Sequence, residues 1–534
     1  MAEKSNDLIH KLEEDPLNRP KIMKQPRKKT LKAKLVEMKD NITVEPLLAG
    51  LLIPSMISRF AMANLNLDKA CRVNKGFSSE ICDALIKKSS GNYSFYEKEV
   101  QKLIASIDIW KGIIHTALPC VIIMFLGAWS DRTGKRKICI LLPIFGELLT
   151  SISNLINVYF FYEIPVEVTV FLETTLTSIS GGWMTIFIGV FSYITDITSE
   201  ETRTFRVGLV NFCMTAGLPI GVGLSGFLLQ KMGYYGVFSL TLVLFVITLV
   251  YGFMNLKEPD QWLKEKGDPV VERPKNDAAF FDLSHMRETI AVVYRPRAAD
   301  RRIKVVLTLF CVFILFGPTI SEQHIYYLFV RNQLNWDLVK HSIFISFFIV
   351  LHSIGAIFSI TVLNRKLKMD DALLCTVSVF SKFVGSVWTA FVTTDLGMYI
   401  VPILELLHAS TFTTLRSIIS KVVEKDETAK VNSLFSLAET VAALMFHPFY
   451  SWTYMRTLTV FPGTVFMISA ALTIPAMIIL MFFYIRHKRE VKKARSTAFK
   501  SEKYNAKDIR LSTTFIEQND QIDQVSGSMI DKEK

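Results

Sequence analysis

A few ionisable residues stand inside long apolar runs, where each costs roughly 2.5–3.5 kcal/mol unless it is paired or faces a wet cavity. Arg59 is the first. Glu322, His324, Lys382, Glu405, His408, Arg416, Glu439 and His447 follow in later runs. The planar fork of an arginine in such a place can hold a carboxylate by charge-assisted, two-point hydrogen bonding. Arg59 and Arg416, one from each half of the chain, are therefore the expected cationic contacts of an anionic substrate, with Glu405 and Lys382 as further binding candidates. Glu405 with His408, or else Glu439, is the expected proton-coupling group, because burial disfavours the ionised form of a carboxyl. Glu405 and Arg416 are eleven residues apart, close to three helical turns or about 16 Å, so they are expected on one face, with His408 within reach of Glu405. The alternative for each residue is that it pairs with another to fix helix packing. Asp108, Lys111 and His115 share one face of the second run and are expected to form a network toward its outer end.

The elements that must carry these residues follow from composition. The chain has 534 residues, half of them hydrophobic, with 39 Phe and 21% charged residues, and its mean hydropathy is +0.32. Soluble chains average about 25% charged. Disordered, fibrous, disulfide-rich secreted and cytosolic enzyme classes are excluded on that balance. Apolar stretches of spanning length recur at about 44–66, 104–128, 137–160, 167–194, 205–229, 234–256, 303–329, 339–363, 371–393, 396–420, 431–454 and 461–485. The expected fold is an all-α membrane protein of twelve transmembrane helices. The expected divisions are a tail 1–43, a six-helix bundle 44–256, a linker 257–302, a second bundle 303–486 and a tail 487–534.

The formal charge of +12 is mainly a topology signal. Arg132, Lys135, Arg136, Lys137, Arg203, Arg206, Arg365, Lys366, Lys368, Lys425 and Lys430 gather in alternate short loops, while the other loops hold only Lys231, Arg331, Lys340 and Arg456. The positive-inside rule then puts both tails and the linker in the cytoplasm and leaves the lipid bilayer, not nucleic acid, as the partner. No cleaved signal peptide is expected, so the first span serves as the targeting signal. The segment 67–103 is the one long outside loop; it carries Cys71 and Cys82, either a disulfide or two free thiols, and a glycosylation sequon at Asn92. No H-E-x-x-H, Walker A or Cys/His grouping is present in the sequence, so neither metal nor cofactor is expected. Gly221, Gly223 and Gly226 match a dinucleotide fingerprint but lie inside a span; with Gly217 they read as a close-packing stripe.

Between the second and third spans stands Gly127-Ala-Trp-Ser-Asp131-Arg132-Thr-Gly134-Lys135-Arg136. Gly127 would let the span approach a neighbour, Gly134 would permit a tight turn, and Asp131 would pair with cations or cap a helix end, so the segment reads as a cytoplasmic gate. It resembles the signature of the major facilitator superfamily, which implies two pseudo-symmetric six-helix bundles and alternating access. Thr43-Val44-Glu45-Pro46, Thr204-Phe205-Arg206, Leu415-Arg416-Ser417, Ser420-Lys421-Val422-Val423 and Phe461-Pro462-Gly463 further resemble solute carrier family 46, the family of the proton-coupled folate transporter. That resemblance implies uptake of a small organic anion or conjugate, coupled to protons. It also implies that Arg416 matches an arginine tied to substrate and proton binding. Asn211 stands where the family has a functional glutamate and Gly182 near its fourth-span aspartate, while His324 lies a few residues beyond the family histidine, which marks a divergent member. The expected function is secondary active transport, at the plasma or endolysosomal membrane; the competing reading is a non-transporting receptor on the same fold.

Overall fold

The computed structural model describes residues 44–87, 93–198, 200–266, 299–422, 428–490 and 492. Helix α1 (Glu45–Lys69) starts where Pro46 costs no hydrogen bond and Glu45 faces the positive end of the helix dipole, and it widens into a π-helical turn, Ala70–Asn74. A short helix α2 (Ser79–Lys87) precedes the long α3 (Ser94–Thr133), then α4 (Lys137–Tyr159), α5 (Val166–Ile179) and α6 (Gly182–Ile197). The fourth apolar stretch is thus broken in two. Gly181 and Gly182 have φ of 83° and 57°, left-handed values that glycine adopts freely, and they separate α5 from α6.

The fifth and sixth stretches run together as α7 (Glu200–Asn255), interrupted only at Gly233, whose φ is 66° and ψ −175°. Gly217 faces Leu52 of α1 and Thr248 reaches the Gly50 carbonyl, so the chain doubles back at Gly233 and lays both arms on one stretch of α1. A short α8 (Pro259–Lys266) follows. The second half holds α9 (Ala299–Gln333), α10 (Leu338–Phe358, continued by a π-helical segment Ser359–Lys366), α11 (Asp371–Ala390), α12 (Asp395–Leu404), α13 (Thr411–Val422), α14 (Thr428–Thr457) and α15 (Thr464–Glu490). The tenth stretch is also broken. Pro402 lies one turn before the point where α12 gives way to a 3-10 segment, Leu406–Ser410, and α13 begins after it.

Among the described residues, ten helical runs are long and apolar enough to cross a bilayer, one of them the reversing run Arg206–Asn255. Counting its arms separately and adding the 30-residue α14 gives twelve crossings. Phe145, Ile152 and Ile156 of α4, and Val246, Ile247, Val250 and Phe253 of α7, are exposed apolar side chains of the kind that meet lipid.

The packing divides the molecule into two bundles joined at one end. Leu47, Ile140, Ile144, Ile194, Val210 and Leu256 form a core of the first bundle, and Val305, Cys311, Cys375, Ile419, Val431 and Phe483 a separate core of the second. At the opposite end Leu67, Val100 and Val170 share one core with Phe329, Trp336, Phe344, Tyr454 and Phe466. That shared end also holds the disulfide between Cys71 and Cys82, whose Cα atoms are 5.9 Å apart. The glycine stripe serves the junction. A Cβ on Gly221 would meet the Ile53 carbonyl at 2.8 Å, and one on Gly226 would meet the Val339 Cα of α10 at 2.7 Å, so one helix packs closely on both bundles.

Candidate functional site

Two groups of charged side chains lie deep in the fold. The first sits where the bundles face each other. The Arg59 guanidinium of α1 lies 4.7 Å over the Trp183 ring, which the break at Gly181–Gly182 sets at the start of α6. Buried Glu147 of α4 is close enough to Arg59 for their charges to act on each other, with Ser55 and Trp183 beside it. On α3, Lys111 approaches Glu173 at 3.9 Å, and His115 lies within electrostatic reach of Arg59, Lys111 and His447. The second bundle contributes His324 and His447, their rings 4.2 Å apart. His447 packs on the backbone of α3, since a Cβ on Gly112 would fall 1.9 Å from its Cδ2. Asp108, Lys111 and His115 do act on one another, and through Arg59 and His447 their network continues into this central group. The arrangement of one arginine, one lysine and three imidazoles around an aromatic face suits a flat or amphipathic anion.

The second group is inside the C-terminal bundle. Lys382 Nζ of α11 donates to Glu322 Oε2 of α9 at 2.6 Å and to Glu405 Oε1 at the end of α12 at 2.9 Å. All three residues are at most 5% exposed. Glycine makes the geometry possible: a Cβ on Gly385 would lie 2.2 Å from Glu405 Cγ, and one on Gly355 would lie 1.9 Å from the Leu406 carbonyl oxygen. The Ser381 hydroxyl, donating to the Leu404 carbonyl, holds the broken backbone in place.

This overturns the expected common face of Glu405 and Arg416. The 3-10 segment between them changes the helical phase, so His408 Nδ1 meets the Thr411 hydroxyl at 3.1 Å, while Glu405 turns to Lys382. Arg416 is not brought to Arg59. Its Nη2 donates to Glu439 Oε2 at 2.9 Å and its guanidinium lies 4.7 Å over Phe435, all within the second bundle.

The gate segment is likewise local in this conformation. Gly134 caps α3 with φ 69° and donates its N–H to the Ser130 carbonyl, as a tight turn requires. Arg136 pairs with Asp196 of α6 at 2.9 Å and donates to Ser130 Oγ, inside the first bundle. Lys135 is exposed, 5.9 Å over Trp129. Gly127 has open space where a Cβ would stand, so the close helix approach expected of it is not made. The side chains of Asp131 and Arg132, and the sequon Asn92, lie outside the described residues.

Sequence reasoning missed a polar latch at the disulfide end. Arg331 of α9 pairs with Glu97 of α3 at 2.7 Å, donates to the Leu85 carbonyl of α2 at 2.7 Å and reaches Tyr327 OH at 3.3 Å. Tyr327 OH donates to Asn64 of α1, whose amide donates to Tyr234 OH, and Tyr454 OH of α14 donates to Gln101 of α3. Glu97 falls within the expected outside loop 67–103 and Arg331 within an expected short loop. The spacing of Glu97, Gln101, Ile104 and Asp108 is the helical signal that could have extended α3 to include them.

The model of the Major Facilitator Superfamily matches residues 103–447. The human lysosomal proton-coupled steroid conjugate and bile acid symporter SLC46A3 is 26% identical over 408 residues, covering 75% of this chain and 84% of that protein. The proton-coupled folate transporter of Rattus norvegicus is 24% identical over 386 residues, covering 72% of this chain and 80% of that protein. Among solved structures, the POT family transporter PepTSo superposes with a TM-score of 0.54 at 13% identity, covering 83% of this chain and 98% of that one.

Proposed function

Since this chain belongs to the Major Facilitator Superfamily, we propose that it is a secondary active, proton-coupled transporter that carries an organic anion, of the steroid-conjugate or bile-acid type, by alternating access. One observation carries the reading. The bundles share a core and a hydrogen-bonded latch at one end, keep separate cores at the other, and bring Arg59, Lys111, His115, His324 and His447 together between them. In a molecule built this way a substrate reaches that group from the unlatched end, and exchange of the closed end turns binding into transport.

The anion is held by Arg59 and its flat apolar part stacks on Trp183; His115, His324 and His447 supply donors to its polar substituents. The disulfide end is extracellular or lumenal, in line with the oxidising environment a disulfide needs, and the termini are cytoplasmic. The gate segment then borders the open, cytoplasmic mouth. The membrane is the plasma or endolysosomal one, with acid on the disulfide side in either case driving the substrate toward the cytoplasm.

The test is uptake of radiolabelled steroid sulfates, bile acids and folates by cells expressing the chain at their surface, at acidic and neutral outside pH. Uptake of at least one anion, faster at acidic pH and lost in Arg59→Ala at equal surface expression, is the expected result. Uptake unchanged by pH removes proton coupling, and unchanged uptake by the variant removes Arg59 from the site.

A further inference from the structure

The buried group around Lys382 has an unbalanced charge. One ammonium faces two carboxyls, Glu322 and Glu405, with no more than 5% exposure at any of the three. Two ionised glutamates would leave a net negative charge in the interior of a bundle, a state far costlier than a paired one. Among the described residues, Lys382 is the one lysine or arginine paired with either carboxyl. Tyr326 of α9 and Tyr450 of α14 approach the carboxyls, and His352 of α10 and His408 of the 3-10 segment approach Lys382. Glu322 adds an independent sign: its Oε2 accepts from Lys382, but its Oε1 is buried with no hydrogen-bond partner among the described residues. A carboxylate oxygen left in that state is costly, and a bound proton removes the charge.

We propose that Glu322, Lys382 and Glu405 form the binding site of the coupling proton, one proton being held between the two carboxyls and offset by the single ammonium. The proposal rests on the proton-coupled reading above and names its residues. A proton from the acidic side forms an O–H bond to one carboxylate, leaving a neutral acid and a neutral Lys382–carboxylate pair; release returns the proton to water and the triad to one net negative charge. The ammonium serves both carboxylates only in the deprotonated state, so loss of the proton tightens α9 and α12 onto α11, and its return loosens one of them. Glu322 holds α9 and Glu405 holds the junction of α12 and the 3-10 segment, so these are the two elements that the proton can release. This location differs from the fifth-span position, where this chain has Asn211, which cannot take up a proton in this role.

The test uses the purified full chain. Infrared difference spectra between acidic and neutral pH are expected to show a carboxylic-acid C=O band in the native chain and to lose it in both Glu322→Gln and Glu405→Gln, because either replacement leaves one carboxylate fully matched by Lys382. A native chain without the band, or a band that persists in either variant, overturns the proposal. The two isosteric variants each remove the charge excess, so one that folds is sufficient. Proteoliposomes taking up an external radiolabelled steroid sulfate supply the transport arm. Both variants are expected to lose the stimulation of transport by an inwardly directed proton gradient that the native chain shows at equal reconstituted protein. Stimulation retained in a variant sinks the triad while leaving proton coupling intact; a native chain indifferent to the gradient sinks proton coupling itself.

Discussion

Arg331 and Glu97 meet at 2.7 Å across the two bundles, both buried, and the same guanidinium holds the backbone carbonyl of Leu85 in the short helix beside the disulfide. Removing one partner of a buried ion pair costs about 3–5 kcal/mol, or about two to four orders of magnitude in the population of the state that contains it. Glu97→Gln and Arg331→Met are therefore expected to open the disulfide end. In a background carrying Ser55→Cys, beside Glu147 and about two and a half helical turns along α1 from the latch residue Asn64, labelling by a membrane-impermeant maleimide added on that side should accelerate in both. Unchanged labelling would mean that the shared apolar core alone keeps the end closed.

On the proposed reading, Arg59 and Trp183 divide the work of holding an anion. Arg59→Ala is expected to abolish uptake, and Arg59→Lys to restore little of it, because a point charge replaces a stacked plane. Trp183→Leu should raise KM by about 2–30-fold with kcat unchanged, the kinetic equivalent of a lost cation–π contact worth about 0.5–2 kcal/mol. A fall in kcat with KM constant would place Trp183 in the conformational step instead.

The Arg416–Glu439 pair separates two roles that a single substitution would confuse. If the pair only fixes α13 against α14, Arg416→Ala leaves Glu439 without its cation and lowers uptake, and adding Glu439→Gln to it restores a large part. Measured uptake of the double variant decides: failure to recover assigns Arg416 a direct contact with substrate.

Gly355 and Gly385 let the broken helix lie against its neighbours. A Cβ at Gly355 would meet a backbone oxygen at 1.9 Å, which no rotamer can relieve, whereas at Gly385 it would meet the Glu405 side chain at 2.2 Å. Gly355→Ala is expected to cost on the order of 1–3 kcal/mol, read as a lower Tm in detergent. Gly385→Ala should cost less stability but shift the pH dependence of transport, since Glu405 must move. Equal effects of the two on pH dependence would argue against this division.

Much of the architecture was legible because twelve spans need only runs of apolar residues, and charges between the runs orient them. Glu322, Lys382 and Glu405 could each be picked out as charges too costly to sit in a bilayer without a reason. Their grouping could not be read, because it depends on distances between α9, α11 and α12 and on a helix break that spoils the periodic reasoning from Glu405 to Arg416. Gly181 and Gly233 show the same limit: one glycine splits a span and the other joins two, through φ values that composition does not distinguish from ordinary helical glycines. Glu97 and Arg331 escaped notice because α3 and α9 extend beyond the apolar windows, so charges that look solvated are buried between bundles.

The reversal at Gly233 bears on how the chain is made. The two arms of α7 are separated by a single non-helical residue, with only Lys231 as a nearby charge, so there is almost no hydrophilic connection to translocate between them. Such arms enter a bilayer most readily as one hairpin, the second arm supplying the apolar surface that compensates the polar residues of the first. A lesion at this glycine would thus appear during synthesis, as a chain with one arm stranded on the wrong side and every later span inverted, before any substrate is met.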